Sequence, residues 1–159
     1  MSPAKRRSGW LVGGVAVLLL LVTGVARADP NLAKLECVNV QAAVLEAGGS
    51  LGITTEVVRE ALLAGIKTHV PRLKVEPNCS NRIFFKVFVQ NLFEGFYGHV
   101  AFEVRRKAAF VDTSLPLEAR AWTLESYVHG TKDHARISVL DQLNSHLAQF
   151  AADYKAANP

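Results

Sequence analysis

Residues 137–154 read ISVLDQLNSHLAQFAADY, and this stretch decides the fold. Ile137, Leu140, Leu143, Leu147, Phe150 and Tyr154 recur at steps of three and four, which lines them along one stripe of a helix. Asp133 stands where a side chain can cap the first turn, so the spacing predicts a final helix of about 20 residues, about 30 Å long. A helix with a single apolar stripe must bury it against another element. A coiled-coil dimer is the weaker alternative, because about three turns of heptad specify little.

The segments upstream supply a sheet. Leu117 to His129 carries the β-formers Trp122, Thr123, Tyr127 and Val128, and Gly130 ends it. Before it, Phe96, Gly98, Val100, Phe102 and Val104 alternate with Tyr97, His99, Ala101, Glu103 and Arg105, following a turn at Gly95. In the run from Ile83 to Leu92, Ile83, Phe85, Val87 and Val89 share one side. A short alternation at Leu73 and Val75 precedes it, and Leu35 to Leu45 opens the sheet with Val38, Val40, Ala42 and Val44 on one face. Between those two, Thr54 or Thr55 caps a helix over about 55–68 that carries Val57, Val58, Ala61, Leu62 and Gly65 and stops at Pro71. Short connections favour antiparallel neighbours. The expected fold is α+β: a two-layer sandwich with a mostly antiparallel sheet of four to five strands, two helices on one face, and the order β-α-β-β-β-β-α.

The first 28 residues have a different purpose. Lys5, Arg6 and Arg7 precede an apolar run from Trp10 to Val25, and Ala26-Arg27-Ala28 puts small residues where signal peptidase needs them. We expect residues 1–28 to be a signal peptide of the general secretory route, cleaved after Ala28, with 29–159 one periplasmic α+β domain that keeps no membrane span. Removing this segment also changes the electrostatics. The chain has 18 Lys and Arg against 14 Asp and Glu, but Lys5, Arg6, Arg7 and Arg27 fall in the leader, which has no acid. The remainder is formally neutral, which removes the usual electrostatic reason to propose nucleic-acid binding. In an exported chain the two cysteines, Cys37 and Cys79, are expected to form a disulfide closing a loop of some 40 residues.

No GxSxG, HExxH, phosphate-binding loop or dinucleotide fingerprint is present, so no catalytic residue, metal ligand set or cofactor is expected. The polar residues have plainer readings. His129, Asp133 and His134 flank a strand-to-helix turn, His146 sits with Asp141 and Gln142 on the polar side of the last helix, and Glu103 and Glu125 are candidates for a cross-strand pair. Arg105-Arg106-Lys107 implies a bulge or an edge, since its members must point to both faces of a strand. The sheet face away from the helices is more informative. If Ile83, Phe85, Val87 and Val89 face the core, then Phe84, Phe88 and Leu92 point outward, with Tyr97 and His99 on the matching side. Exposed aromatics mark a partner surface or ligand groove unless Pro30 to Leu35 or a long loop covers them.

Gly52-Ile53-Thr54 leading into Val58-Arg59, Trp122 followed by Gly130-Thr131, and the ending from Leu147 through Tyr154 to Asn158-Pro159 are similar to a set of small bacterial periplasmic proteins of uncharacterised function. More remotely, the element order resembles the TolB N-terminal domain and the auxiliary components of lipid ABC transporters. These resemblances imply envelope adaptor work and bring no catalytic motif. The expected function is a non-enzymatic envelope adaptor that binds another envelope protein through the sheet face or a strand edge. The alternative is a periplasmic carrier of a lipid or other apolar small molecule between sheet and helices.

Overall fold

The computed structural model describes residues 29–109 and 116–159, so the leader reading falls outside the described residues. Five strands and two helices follow in the order β1 Cys37–Glu46, α1 Thr55–His69, β2 Lys74–Val75, β3 Arg82–Asn91, β4 Phe96–Ala109, β5 Pro116–Gly130 and α2 Ala135–Ala157. The sheet order is β2-β1-β3-β4-β5. β3, β4 and β5 form an antiparallel meander, in keeping with their short connections. β1 runs parallel to both β2 and β3, because α1 carries the chain back across the sheet before β2 begins. The architecture is the expected α+β sandwich, built on a mixed sheet.

Alternation along the strands decides which side meets the helices. Val38 and Val40 of β1, Ile83, Phe85, Val87 and Val89 of β3, and Val100, Phe102 and Val104 of β4 are buried. Against them α1 sets Val58, Leu62 and Ile66, with Thr54 accepting a hydrogen bond from Val57 N at 3.3 Å as its N-cap. α2 buries Val139, Leu143, His146, Leu147, Phe150 and Tyr154. The rings of Phe85, Phe102, Trp122, Phe150 and Tyr154 fill the space between layers, with centroids of neighbouring rings 5.4 to 6.2 Å apart. Each such side chain taken from water contributes about 1.5–3 kcal/mol.

The stripe of α2 is rotated from the one read in the sequence. Ile137 is more than half exposed, whereas His146 is buried and belongs to the core face rather than the polar side. The start also differs. A 3-10 turn over Lys132–His134 precedes the helix, His134 occupies the cap position without a side-chain cap bond, and Asp133 makes no cap. Thr131 Oγ1 instead lies 2.9 Å from His134 Nδ1.

The N-terminal segment packs on the helix side. Leu32 and Leu35 are buried in the core, Asn158 holds Leu32 O and Lys34 N at 2.9 and 2.8 Å, and the Tyr154 hydroxyl donates to Leu35 O at 3.0 Å. Arg106 donates to Asn31 O and Ala33 O from the same side. Pro30 to Leu35 therefore does not cover the outer face of the sheet. Cys37 and Cys79 are bonded, tying β1 to the turn after β2.

Candidate functional site

The outer face of β3, β4 and β5 is the candidate site, and it is built by strand parity plus one irregularity. Phe84, Lys86 and Phe88 of β3 face the same side as Tyr97, His99, Ala101 and Glu103 of β4, with Phe84 opposite Glu103 and Phe88 opposite His99. On β5, Thr123 stands opposite Glu103, Glu125 opposite Ala101, and Tyr127 opposite His99. The register then slips between Val104 and Arg105, so that Arg105 meets Arg120 and both reach Glu103. An irregularity thus lies beside Arg105-Arg106-Lys107 as expected, but its extra residue, Ala121, belongs to β5, and the plain alternation of β4 sends Arg105 and Arg106 to opposite layers.

Glu103 is the centre of the face. It is 1% exposed although no helix lies over it. Lys86 Nζ donates to Oε1 at 2.9 Å, and Arg105 donates to Oε2 through Nε at 2.8 Å and Nη2 at 2.6 Å. Arg120 stands further off, 3.6 Å from both Glu103 Oε1 and Glu125 Oε1, and His99 Nε2 lies 3.4 Å from Glu125 Oε2. At the other end Arg82 pairs with Glu118 at 3.1 Å. Burial by itself raises the Glu103 pKa, but the hydrogen bonds from Lys86 and Arg105 and their charges outweigh it, and the carboxyl ends below its ordinary value. Glu103 and Glu125 are thus not a directly paired set of carboxylates; they share Arg120.

Aromatic groups surround this network. Lys86 and Arg105 lie 5.3 and 5.1 Å from the Phe84 ring centroid, in cation–π range. Tyr97 and Tyr127 stack at 5.7 Å, and His99 is tilted against Tyr127 at 5.2 Å. Over the small side chain of Ala101 the face dips into a concavity of about 380 Å³, walled by Leu45, Phe88, Lys86, His99 and Arg120. Of the residues read as the outward face, Phe84 and Phe88 are half-buried here and Tyr97 and His99 border the same surface. Leu92 lies past the end of β3, half-exposed in the turn to β4. The ion network was missed from sequence: parity places Glu103 beside His99, but Arg120 reaches it only through the bulge.

A second polar group lies between the layers. Ser126 Oγ is 2.9 Å from His146 Nε2 and accepts from Gln142 Nε2 at 3.1 Å. Burial pushes the His146 pKa down. A serine–histidine pair becomes nucleophilic when a third group orients the imidazole through Nδ1, and among the described residues none hydrogen-bonds to His146 Nδ1. Among the described residues no three His, Cys, Asp or Glu side chains gather as a metal-binding group, and no helix is long and apolar enough to cross a membrane.

No protein-family model matches the sequence, and no curated protein matches it. Among solved structures, the chain is similar to the PelC dodecamer from Paraburkholderia phytofirmans, with TM-score 0.42 and 9% identity over 72% of this chain and 87% of that one. It is also similar to a minor lipoprotein from Acinetobacter baumannii, with TM-score 0.30 and 13% identity over 78% and 87% of the two chains. Likenesses this distant say nothing about function.

Proposed function

We propose that the protein is an exported, non-enzymatic adaptor of the bacterial cell envelope that holds another protein on the open face of its sheet. The observation that carries this reading is a face that no helix among the described residues covers: half-buried Phe84 and Phe88 and exposed Tyr97 and Tyr127 around mutually paired charges. Apolar surface that a chain's own helices leave open marks a partner site. Aromatic and Arg side chains are the types that anchor protein interfaces, and charges already fixed by one another lose little freedom on docking. The Cys37–Cys79 disulfide fits an oxidising compartment, which agrees with a cleaved secretory leader and a periplasmic location.

The test is recovery of a partner from the periplasm of the native host, with identification by mass spectrometry. Phe88→Ser and Tyr127→Ser are compared with Arg136→Ser, an exposed position on α2. The face variants should lose the partner that the wild type and Arg136→Ser retain, at unchanged circular dichroism and melting temperature. Retention of that partner by both face variants sinks the proposal.

A further inference from the structure

The sheet also has a bare edge. β1 lies between β3 and β2, but β2 is two residues long and pairs only with Cys37 and Val38. Even-numbered residues of β1 aim their backbone groups to that side: Glu36 O accepts from Lys74 N at 3.1 Å and Val38 O from Glu76 N at 2.9 Å. Asn39 N, by contrast, donates to Asn81 O on the β3 side at 2.8 Å. Alternation therefore directs the N–H and C=O groups of Val40, Ala42 and Val44 away from β3, and past Val38 no strand pairs with them among the described residues. Beside this edge lies a groove of about 240 Å³, with Val40, Leu63 and Val75 along it and Arg59 and Glu76 at its rim.

The two edges of the sheet are defended unequally. β5 carries Glu118, Arg120 and Glu125 and a bulge, the devices that discourage strand pairing. From Val40 to Val44 the sequence is Val-Gln-Ala-Ala-Val, without charge or proline.

We infer that the free edge of β1, from Val40 to Val44, takes an extended segment of a partner polypeptide, which prolongs the line of β2 and seats one apolar side chain against Leu63 and Val75. The edge itself selects this occupant. Its donors and acceptors repeat every second residue over about 13 Å, a spacing that an extended backbone matches and that a helix, with its backbone groups already paired, does not. The surface is separate from the aromatic face and stands whether or not that face binds.

Short random peptides displayed on phage provide the probe, selected on the full mature chain. Ala42→Pro removes an edge N–H that does not serve the β1–β3 ladder. Selected peptides should alternate apolar and polar residues, lose binding to Ala42→Pro by about tenfold, and slow amide exchange at Val40, Ala42 and Val44 in the wild type. Equal binding to both forms, protection confined to other strands, or no selectable peptide overturns the inference. A dimer in sedimentation that Ala42→Pro abolishes also overturns it, by giving the edge to a second copy of this chain. Should Ala42→Pro fail to fold, the wild-type amide exchange decides alone.

Discussion

Lys86 Nζ lies 2.9 Å from Glu103 Oε1, on a sheet face that neither helix covers. A carboxylate 1% exposed in that position is enclosed by its own partners: Lys86, Arg105 and Arg120 take the place of water around it. The arrangement fixes three cationic side chains on a surface where long side chains are ordinarily free. Holding them costs desolvation, and the carboxylate is what offsets it.

Glu103→Ala should therefore destabilise the fold by about 2 kcal/mol, the scale of lost charge-assisted hydrogen bonds, moderated because the partially exposed cations regain water. Urea unfolding measures this, and a change within experimental error would show that the network contributes no net stability. The acid limb follows from the same group. Its folded pKa is lowered, so its contribution is present above the ordinary carboxyl value of 4.5 and is lost as pH falls through the lower folded value. Glu103→Gln should flatten that limb.

His146 makes stability depend on pH in a milder range. Its folded pKa lies below 6.5 because burial disfavours the imidazolium. The unfolded chain then binds the proton more readily, so the stability held above pH 6.5 declines as pH falls from there through the folded value. The groups packed against the ring, Phe85, Ser126 and Gln142, are uncharged and offer the imidazolium no counter-charge. Melting temperatures measured from pH 7.5 downward should fall in the wild type and fall less in His146→Gln. Parallel curves would assign the effect to another group.

How far the sequence reaches is visible in these same residues. The alternation in β3 and β4 sorts Ile83, Phe85, Val87 and Val89 from Phe84, Lys86 and Phe88 because a strand has only two faces. The order of elements and the disulfide were legible for comparable reasons of period and compartment. α2 was harder: with eight buried positions its stripe is wide, and the heptad-like choice of Ile137 over Val139 rotated it enough to leave His146 outside. Arg120 and Glu103 meet only because a bulge shifts the register, and a one-residue slip has no signature in β5 itself. The parallel placement of β1 beside β3 depends on where α1 returns the chain, which local patterning does not encode.

Gly65 tests the packing of the two helices. A Cβ at this position would collide with Leu147 Cδ1, and Leu147 is fully buried. Helix propensity alone favours Gly65→Ala by about 1 kcal/mol, whereas overpacking a filled core costs about 1–3 kcal/mol. Because Leu147 is fully buried and must shift within the core, the clash should win, with net destabilisation of about 1 kcal/mol or more in chemical denaturation. A stabilised Gly65→Ala would mean that α1 and α2 separate readily. Leu147→Ala alone should cost about 2–5 kcal/mol, but adding Gly65→Ala to that background should cost less than it does in the wild type, since the smaller side chain vacates the contested space.

The disulfide links the fold to its bare edge. Cys37 is the first residue of β1 and Cys79 follows β2, 42 residues later. Closing a loop of that length removes about 4 kcal/mol of unfolded-state entropy. Replacing both cysteines with serine should lower stability by up to that amount, measured by urea unfolding without reductant. The loss should also be uneven. β2 is held beside β1 only near Cys37 and Val38, through Lys74 N to Glu36 O and Glu76 N to Val38 O, so the amides of Lys74 and Glu76 should exchange far faster in the double variant, while those of Lys86 and Ala101, which face each other within the β3–β4 ladder, should change only with global stability. Uniform acceleration at all four would mean that β2 and the central strands open together, and that the covalent link acts on the whole domain instead of fixing where the β1 edge begins.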